Sequence, residues 1–296
     1  MNGILKEFVS DLAMEKKMAI NSIRAYEKDV MEFNRFLNDK GIGEVRDISN
    51  TDMISYLLKL KNEGKAGATV NRKVASIRAY CGFMFSRGYI STNPAANIKS
   101  PKISRKRVEY LSLKEVEKLL ELPDDSIKGL RDKAILEILY ATGIRVTELT
   151  EMNITDINLR IGFITCTGEH GKARIIPLGR PAKAALETYL YDVRSKLIHN
   201  AASDEKSLFV NYAGERLTRQ GLWKIIRHYA EKAGIEHKIT PQILRNSFAV
   251  HMVQNGADLK SLQELLGHED ITTTQIYLEA TKSKIKEVYD RSHPRA

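Results

Sequence analysis

Four segments in the C-terminal two thirds of the chain gather side chains that could act on a phosphate ester. In Ala141-Thr142-Gly143-Ile144-Arg145-Val146-Thr147-Glu148-Leu149, a helix-ending glycine is followed by Arg145 at the start of the next turn. An anion there would meet a guanidinium fork and helix N-terminal amides; a surface arginine paired with Glu148 fits the same pattern. Gly171-Lys172-Ala173-Arg174 sets Lys172 on a tight turn, from which an ammonium can reach a duplex groove and deliver a proton, although turn lysines are usually just solvated. In Thr240-Pro241-Gln242-Ile243-Leu244-Arg245-Asn246-Ser247-Phe248-Ala249, Pro241 suits a first helical position, and Gln242 and Arg245 share a face. Shelter from Leu244 and Phe248 favours an anion at Arg245; an ordinary ion pair would explain the arginine nearly as well. In Leu265-Leu266-Gly267-His268-Glu269-Asp270-Ile271-Thr272-Thr273-Thr274-Gln275-Ile276-Tyr277, Gly267 ends a helix, His268 follows, and Tyr277 sits in another short helix. Taken singly, a histidine or a tyrosine is more often structural than catalytic.

The elements that must position these residues fall into two halves. Ile23, Tyr26, Val30, Phe33 and Leu37 step by threes and fours, as do Val70, Val74, Ile77, Cys81 and Met84, and glycines 41 and 88 stop the two patterns. Ile54, Leu57 and Leu58 predict a shorter helix between them, ending near Gly64. The first half is therefore expected to be three or four packed helices with no strand. Asn93-Pro94 and Pro101 break helix continuation, and Ser112-Leu113-Lys114-Glu115 restarts it as a capping box. In the second half, Ile127 to Tyr140 is helical. Residues 163–167 and 174–178 predict a β-hairpin reversing at Gly168 to Gly171, with Pro177 marking an edge or strand end. Helices are expected at about 181–199, 218–233, 241–255 and 258–266, with a last one at about 281–291.

The chain has 296 residues, 43% of them hydrophobic, which suits two globular domains. No run is long and apolar enough for a membrane span, the N-terminus lacks a signal-peptide layout, and the two cysteines, Cys81 and Cys166, lack metal spacing. A reducing, cytoplasmic setting is expected. The net charge is +10, and half of that excess lies in residues 99–107, where Lys99, Lys102, Arg105, Lys106 and Arg107 occur with no acid. Such a run is either a solvated linker or a strap along a phosphate backbone. The expected layout is a helical domain over 1–98, a basic linker over 99–107 and a catalytic domain over 108–296.

Together, in this order, the four segments resemble the tyrosine recombinases, the family of phage integrases and Xer chromosome-dimer resolvases. The Gly-hydrophobic-Arg-x-x-Glu-Leu box, the hairpin lysine, the Leu-Arg-x-Ser-Phe-Ala box and the Leu-Gly-His…Thr-Thr…Tyr box all recur, with the family's spacing from His268 to Tyr277. Residues 69–101 resemble a core-binding domain running into its linker, and His293-Pro294-Arg295-Ala296 resembles the Xer ending. The start of the sequence at the helical half, without an arm-binding domain before it, also favours Xer. The resemblance implies a mainly α fold with a small β-sheet: an all-helical core-binding domain and a mixed α/β catalytic domain, closing as a C-shaped clamp. Arg72, Lys73 and the basic linker are expected to bind DNA. One active-site position departs from the pattern. Gln242 stands where the family usually has histidine or lysine, and Asn246 where a second histidine is frequent; glutamine can donate a hydrogen bond to phosphate but cannot shuttle a proton.

The implied mechanism follows from what a phosphodiester needs. Arg145, Arg245 and His268 would neutralise the pentavalent transition state. Tyr277 would attack phosphorus, its phenol (reference pKa about 10) favoured as phenolate by nearby cations. Lys172 would protonate the leaving 5′ oxygen, and Glu148 would orient Arg145. No metal or cofactor is expected. The resemblance implies a homo- or hetero-tetramer on a double-stranded recombination site, a second recombinase or a DNA translocase as candidate partners, and a role in resolving chromosome or plasmid dimers. Two other readings remain: a type IB topoisomerase-like relaxing enzyme, and a DNA-binding protein with a weakened active site, suggested by Gln242 and Asn246.

Overall fold

The computed structural model describes residues 1–99, 107–168, 171–198, 205–235 and 239–281. The chain divides into two compact units, Met1–Lys106 and Arg107–Ala296.

In the first unit, four helices, α1 (Asn2–Met14), α2 (Ile20–Asp39), α3 (Asn50–Asn62) and α4 (Gly67–Ser86), pack around one apolar core. The 3.6-residue periodicity of α2 and α4 points inward: Ile23, Val30, Phe33 and Leu37 are buried, as are Val70, Val74, Ile77, Cys81 and Met84. The shorter helix expected around Ile54, Leu57 and Leu58 is α3, but two of those residues do not face the core. Ile54 and Leu58 are 47% and 55% exposed, and the helix buries Met53, Tyr56 and Leu60 instead. The Tyr56 ring lies 5.1 Å from those of both Phe33 and Phe36, and packing that large surface outweighs burial of two aliphatic side chains.

A charged cluster ties α2 to α4. Asp29 is fully buried and takes Arg72, Lys73 at 3.2 Å and the Ser76 hydroxyl at 2.9 Å, and Glu32 takes Lys73 as well. The expectation that Lys73 binds DNA is therefore corrected. Lys73 is 3% exposed, and its ammonium is held by two carboxylates rather than turned to a phosphate. Arg72 bonds the same Asp29 but keeps its side chain 43% exposed.

The second unit begins with α5 (Leu113–Glu121), whose N-terminus is the capping box of Ser112 and Glu115. Next come α6 (Ile127–Thr142) and the short α7 (Val146–Glu151). An antiparallel sheet follows, of β1 (Ile157–Asn158), β2 (Phe163–Thr167) and β3 (Ala173–Pro177) in that spatial order. The hairpin pairs Phe163 with Pro177 and Thr167 with Ala173, so Pro177 lies on an edge strand, where a missing N–H is tolerated. At two residues, β1 is too short to display an alternating pattern in sequence. The helix expected over 181–199 is α8 (Arg180–Thr188) and α9 (Arg194–Ile198), joined through a π-type turn at Tyr189–Val193. Then follow α10 (Arg219–Lys232), α11 (Pro241–Gln254), α12 (Leu259–Leu266) and a helix over 272–281. The last helix expected, at about 281–291, lies beyond the described residues.

The main core of this unit surrounds α6, whose Ile135, Leu136, Ile138 and Leu139 are buried. A smaller cluster of Phe248, Ala249, Val250, Leu262, Leu266 and Tyr277 joins α11, α12 and the helix over 272–281. Among the described residues, no helix is long and apolar enough to cross a membrane.

Candidate active site

The site is assembled at two helix ends. Gly143 closes α6 in the left-handed conformation (φ 57°), and a Cβ there would lie 2.4 Å from the Phe248 ring, so both backbone and space require glycine. The turn delivers Arg145 as the residue capping α7. Its amide donates to the Glu148 carboxylate at 2.7 Å and its Nη1 to the same group at 3.0 Å.

The other end is the C-terminus of α12, closed by Gly267 at φ 62°. The carbonyls of a helix's last turn have no partner within the helix and carry its negative dipole end. Here three successive ones are each taken by a different arginine. Arg174 Nε donates to Leu265 O at 2.8 Å, Arg245 Nη2 to Leu266 O at 2.7 Å and Arg145 Nη2 to Gly267 O at 3.0 Å. Arg245 also donates to Gly143 O, tying the two helix ends together. Arg174 forks onto Glu148 at 2.7 and 2.9 Å. A side chain at position 267 would come within 2.9 Å of the Arg174 guanidinium. Arg174 was not expected at the site. Its sequence signal is strand alternation, which sets it on the inward face of β3 with Ile176.

One carboxylate therefore serves two guanidinium groups, those of Arg145 and Arg174, while Arg245 donates to backbone carbonyls and His268. Burial alone would raise the carboxyl pKa of Glu148, but hydrogen bonds from Arg174 and the Arg145 amide hold it below the usual range. Arg245, 3% exposed, has its pKa lowered to about 10 by burial and by the like charge of Arg145. His268 is lowered to about 4 by burial and by Arg245, Arg145 and Arg174, so its imidazole is neutral. A guanidinium only donates, so the 3.0 Å contact from Arg245 Nη2 makes His268 Nε2 the acceptor. The ring proton is then on Nδ1, 2.9 Å from the Thr274 hydroxyl. For Nε2 to donate a hydrogen bond to a phosphate oxygen, Arg245 must release that nitrogen and a proton must bind there.

Tyr277 is 2% exposed, and its ring stacks on His268 with centroids 6.4 Å apart and planes 15° apart. Its hydroxyl donates to Asn246 Oδ1 at 3.3 Å. Burial raises the phenol pKa in this DNA-free state; Arg245 and Arg145 favour phenolate, as expected, without cancelling the rise. Gln242 is exposed while Arg245 is buried, and Gln242 Nε2 donates to Asn246 Oδ1 at 3.0 Å. Lys172 is exposed and lines a cleft of about 610 Å³ with Arg145, Arg174, His268 and Thr273. Of the basic linker, Lys102, Arg105 and Lys106 lie outside the described residues, and Lys99 and Arg107 are exposed.

Comparison with known proteins places the family and the fold. Residues 109–284 match the phage integrase family, and residues 5–88 match the phage integrase N-terminal SAM-like domain. Tyrosine recombinase XerD of Listeria monocytogenes serotype 4b is 43% identical over all of both chains. Tyrosine recombinase XerC of Roseiflexus sp. is 42% identical over all of this chain and 95% of its own. Among solved structures, XerH recombinase in a post-cleavage complex with difH DNA has a TM-score of 0.75 at 23% identity, over 90% of this chain and 78% of its own. A lambda integrase dimer on a core site has 0.74 at 20% identity, over 94% of each chain. At these identities the two structures establish the fold, a helical N-terminal domain followed by a catalytic domain.

Proposed function

This chain belongs to the phage integrase family of tyrosine recombinases, and on that premise we propose that Tyr277 is the nucleophile of an Xer-type site-specific recombination reaction. The observation that carries the proposal is the contact of Tyr277 with His268, whose Nε2 in turn meets Arg245 beside Arg145. A phenol, an imidazole and two guanidinium groups thus meet in one place; the imidazole Nε2 lone pair is taken by Arg245, which leaves the phenol as the group to attack phosphorus.

In this mechanism the Tyr277 hydroxyl releases its proton to solvent as its oxygen attacks the scissile phosphorus, and the bond from phosphorus to the 5′ oxygen breaks. Arg145, Arg245 and His268 stabilise the charge on the non-bridging oxygens, and Lys172 gives its proton to the leaving 5′ oxygen. The products are a 3′-phosphotyrosine and a free 5′ hydroxyl. The ester conserves the bond energy, so a 5′ hydroxyl from a partner duplex reseals it. Glu148 and Arg174 keep Arg145 in place from behind. Arg72, Lys99, Lys102, Arg105, Lys106 and Arg107 supply phosphate contacts without sequence choice. The reaction takes place in the cytoplasm on a tetramer of this chain, alone or with a second recombinase, and resolves chromosome or plasmid dimers at division, with a DNA translocase as a further partner. Relatives named XerD and XerC at 42–43% identity favour this over a relaxing topoisomerase or a weakened binder.

The test is a suicide duplex, nicked beside the cleavage point and built on the sequence the protein selects from a random pool. Tyr277→Phe binds it with unchanged affinity and forms no covalent adduct; an adduct would remove Tyr277 from the role. Lys172→Ala cleaves slowly, and a 5′-bridging phosphorothiolate, whose thiolate leaves unprotonated, restores the rate. Failure of that rescue assigns the proton to another group.

A further inference from the structure

We propose that Asn246 is a positioning residue for Tyr277 and that Gln242 acts on the reaction through Asn246 rather than on the scissile phosphate. The inference rests on Tyr277 being the nucleophile.

Gln242 and Asn246 are four residues apart on α11, hence on one face. Three hydrogen bonds meet at the Asn246 amide. Its Nδ2 donates to Glu109 O at 2.9 Å, and its Oδ1 accepts from Gln242 Nε2 at 3.0 Å and from Tyr277 Oη at 3.3 Å. A backbone carbonyl only accepts, so Glu109 must face the amide nitrogen, and Oδ1 must face Gln242 and Tyr277. The orientation of Asn246 is thus set by the chain entering the second unit and by its neighbour on the helix.

Two consequences follow for the phenol. Its proton points at Oδ1, which leaves the oxygen lone pairs directed away from Asn246. An amide cannot take up a proton, and an acceptor bonded to the neutral phenol disfavours phenolate. Asn246 therefore holds the nucleophile in place and protonated, in the same direction as burial, and the proton must leave by another route once a phosphate is bound. Gln242 has spent one amide N–H on Asn246, and its effect on cleavage is to keep Oδ1 turned toward the phenol. A histidine at position 242 and one at 246 could not reproduce this arrangement of two amides, so the two departures from the family pattern form one unit.

Single-turnover adduct formation on the suicide duplex tests this, with duplex affinity measured alongside. Asn246→Ala slows adduct formation about tenfold to hundredfold, the cost of a misplaced reacting group, at unchanged affinity. Gln242→Ala slows it in the Asn246 background and has no further effect in the Asn246→Ala background, because both act through one contact. Asn246→Asp puts a group that can take up a proton on the phenol, so its rate gains an acid-side ionisation that the parent lacks, a change a purely structural residue would not produce. Asn246→Ala at the parent rate overturns the proposal, and so does an unchanged pH profile for Asn246→Asp. An equal loss from Gln242→Ala in both backgrounds returns Gln242 to an independent role on the phosphate. If Tyr277→Phe still forms an adduct, the nucleophile is wrong and not merely its positioning.

Discussion

Each unit of this protein buries a cluster of cations, and the two clusters are satisfied in opposite ways. Between α2 and α4, Arg72 and Lys73 meet Asp29 and Glu32, cation for carboxylate. At the C-terminus of α12, Arg145 and Arg174 share the single carboxylate of Glu148, and backbone carbonyls take a donor from each of Arg145, Arg174 and Arg245. Carbonyl oxygens satisfy hydrogen bonds without cancelling charge. The first cluster is a neutral staple between helices, whereas the second keeps a net positive field that an incoming phosphate can neutralise. Burial, and after it the like charge of the neighbouring arginines, lowers the pKa of Arg245 and His268.

The sharpest contrast comes from removing one cation from each cluster. Arg245→Met should lower adduct formation by about 10²–10³-fold, the loss expected for a group aimed at transition-state charge. Its melting temperature should fall less than that of Lys73→Met, because relief of repulsion with Arg145 offsets the lost carbonyl bonds. Lys73→Met should leave buried Asp29 with one partner fewer, though still bonded to Arg72 and Ser76, and destabilise the helical unit by about 1–3 kcal/mol. Its cleavage rate, measured at a temperature where the unit stays folded, should be unchanged. Thermal melts and single-turnover cleavage of both variants check this; equal melting losses would break the distinction.

Glu148→Gln probes the one carboxylate of the cationic cluster. The folded-state pKa of Glu148 is lowered, so its stabilising contribution is present above the unfolded value near 4.5 and is lost as pH falls through the lower folded value. The variant should lose stability at neutral pH, and its stability should fall less steeply than the parent's across that acid range. Urea melts at several pH values check this, and parallel curves for the two proteins would show that Glu148 does not anchor Arg174.

The smallest effect concerns His268. Its folded pKa of about 4 lies below the ordinary 6.5, so the unfolded chain takes up a proton first and stability declines as pH falls between those values. In NMR titrations the imidazole should stay neutral through pH 5. Binding of duplex to Tyr277→Phe should raise the midpoint, because phosphate compensates the arginines. A midpoint unmoved by DNA would mean that no phosphate enters between Arg145 and Arg245.

Sequence alone determined most of the elements and proposed most members of the site. Periodicity fixed α2 and α4, glycines 143 and 267 marked the two helix ends, alternation gave the hairpin, and the ordered boxes named Arg145, Lys172, Arg245, His268 and Tyr277. These signals are local: they depend on spacing along one segment. The tertiary structure decided how each charge is used, because that depends on groups far apart in sequence. Lys73 became a buried staple through Asp29, more than forty residues away. Arg174 joined the site through Glu148 and Leu265, and the Tyr277 hydroxyl found Asn246 on another helix. The face of α3 was likewise set by two aromatic rings on α2. A residue's type fixes what it can donate or accept, and only the fold fixes which partner and how much water it meets.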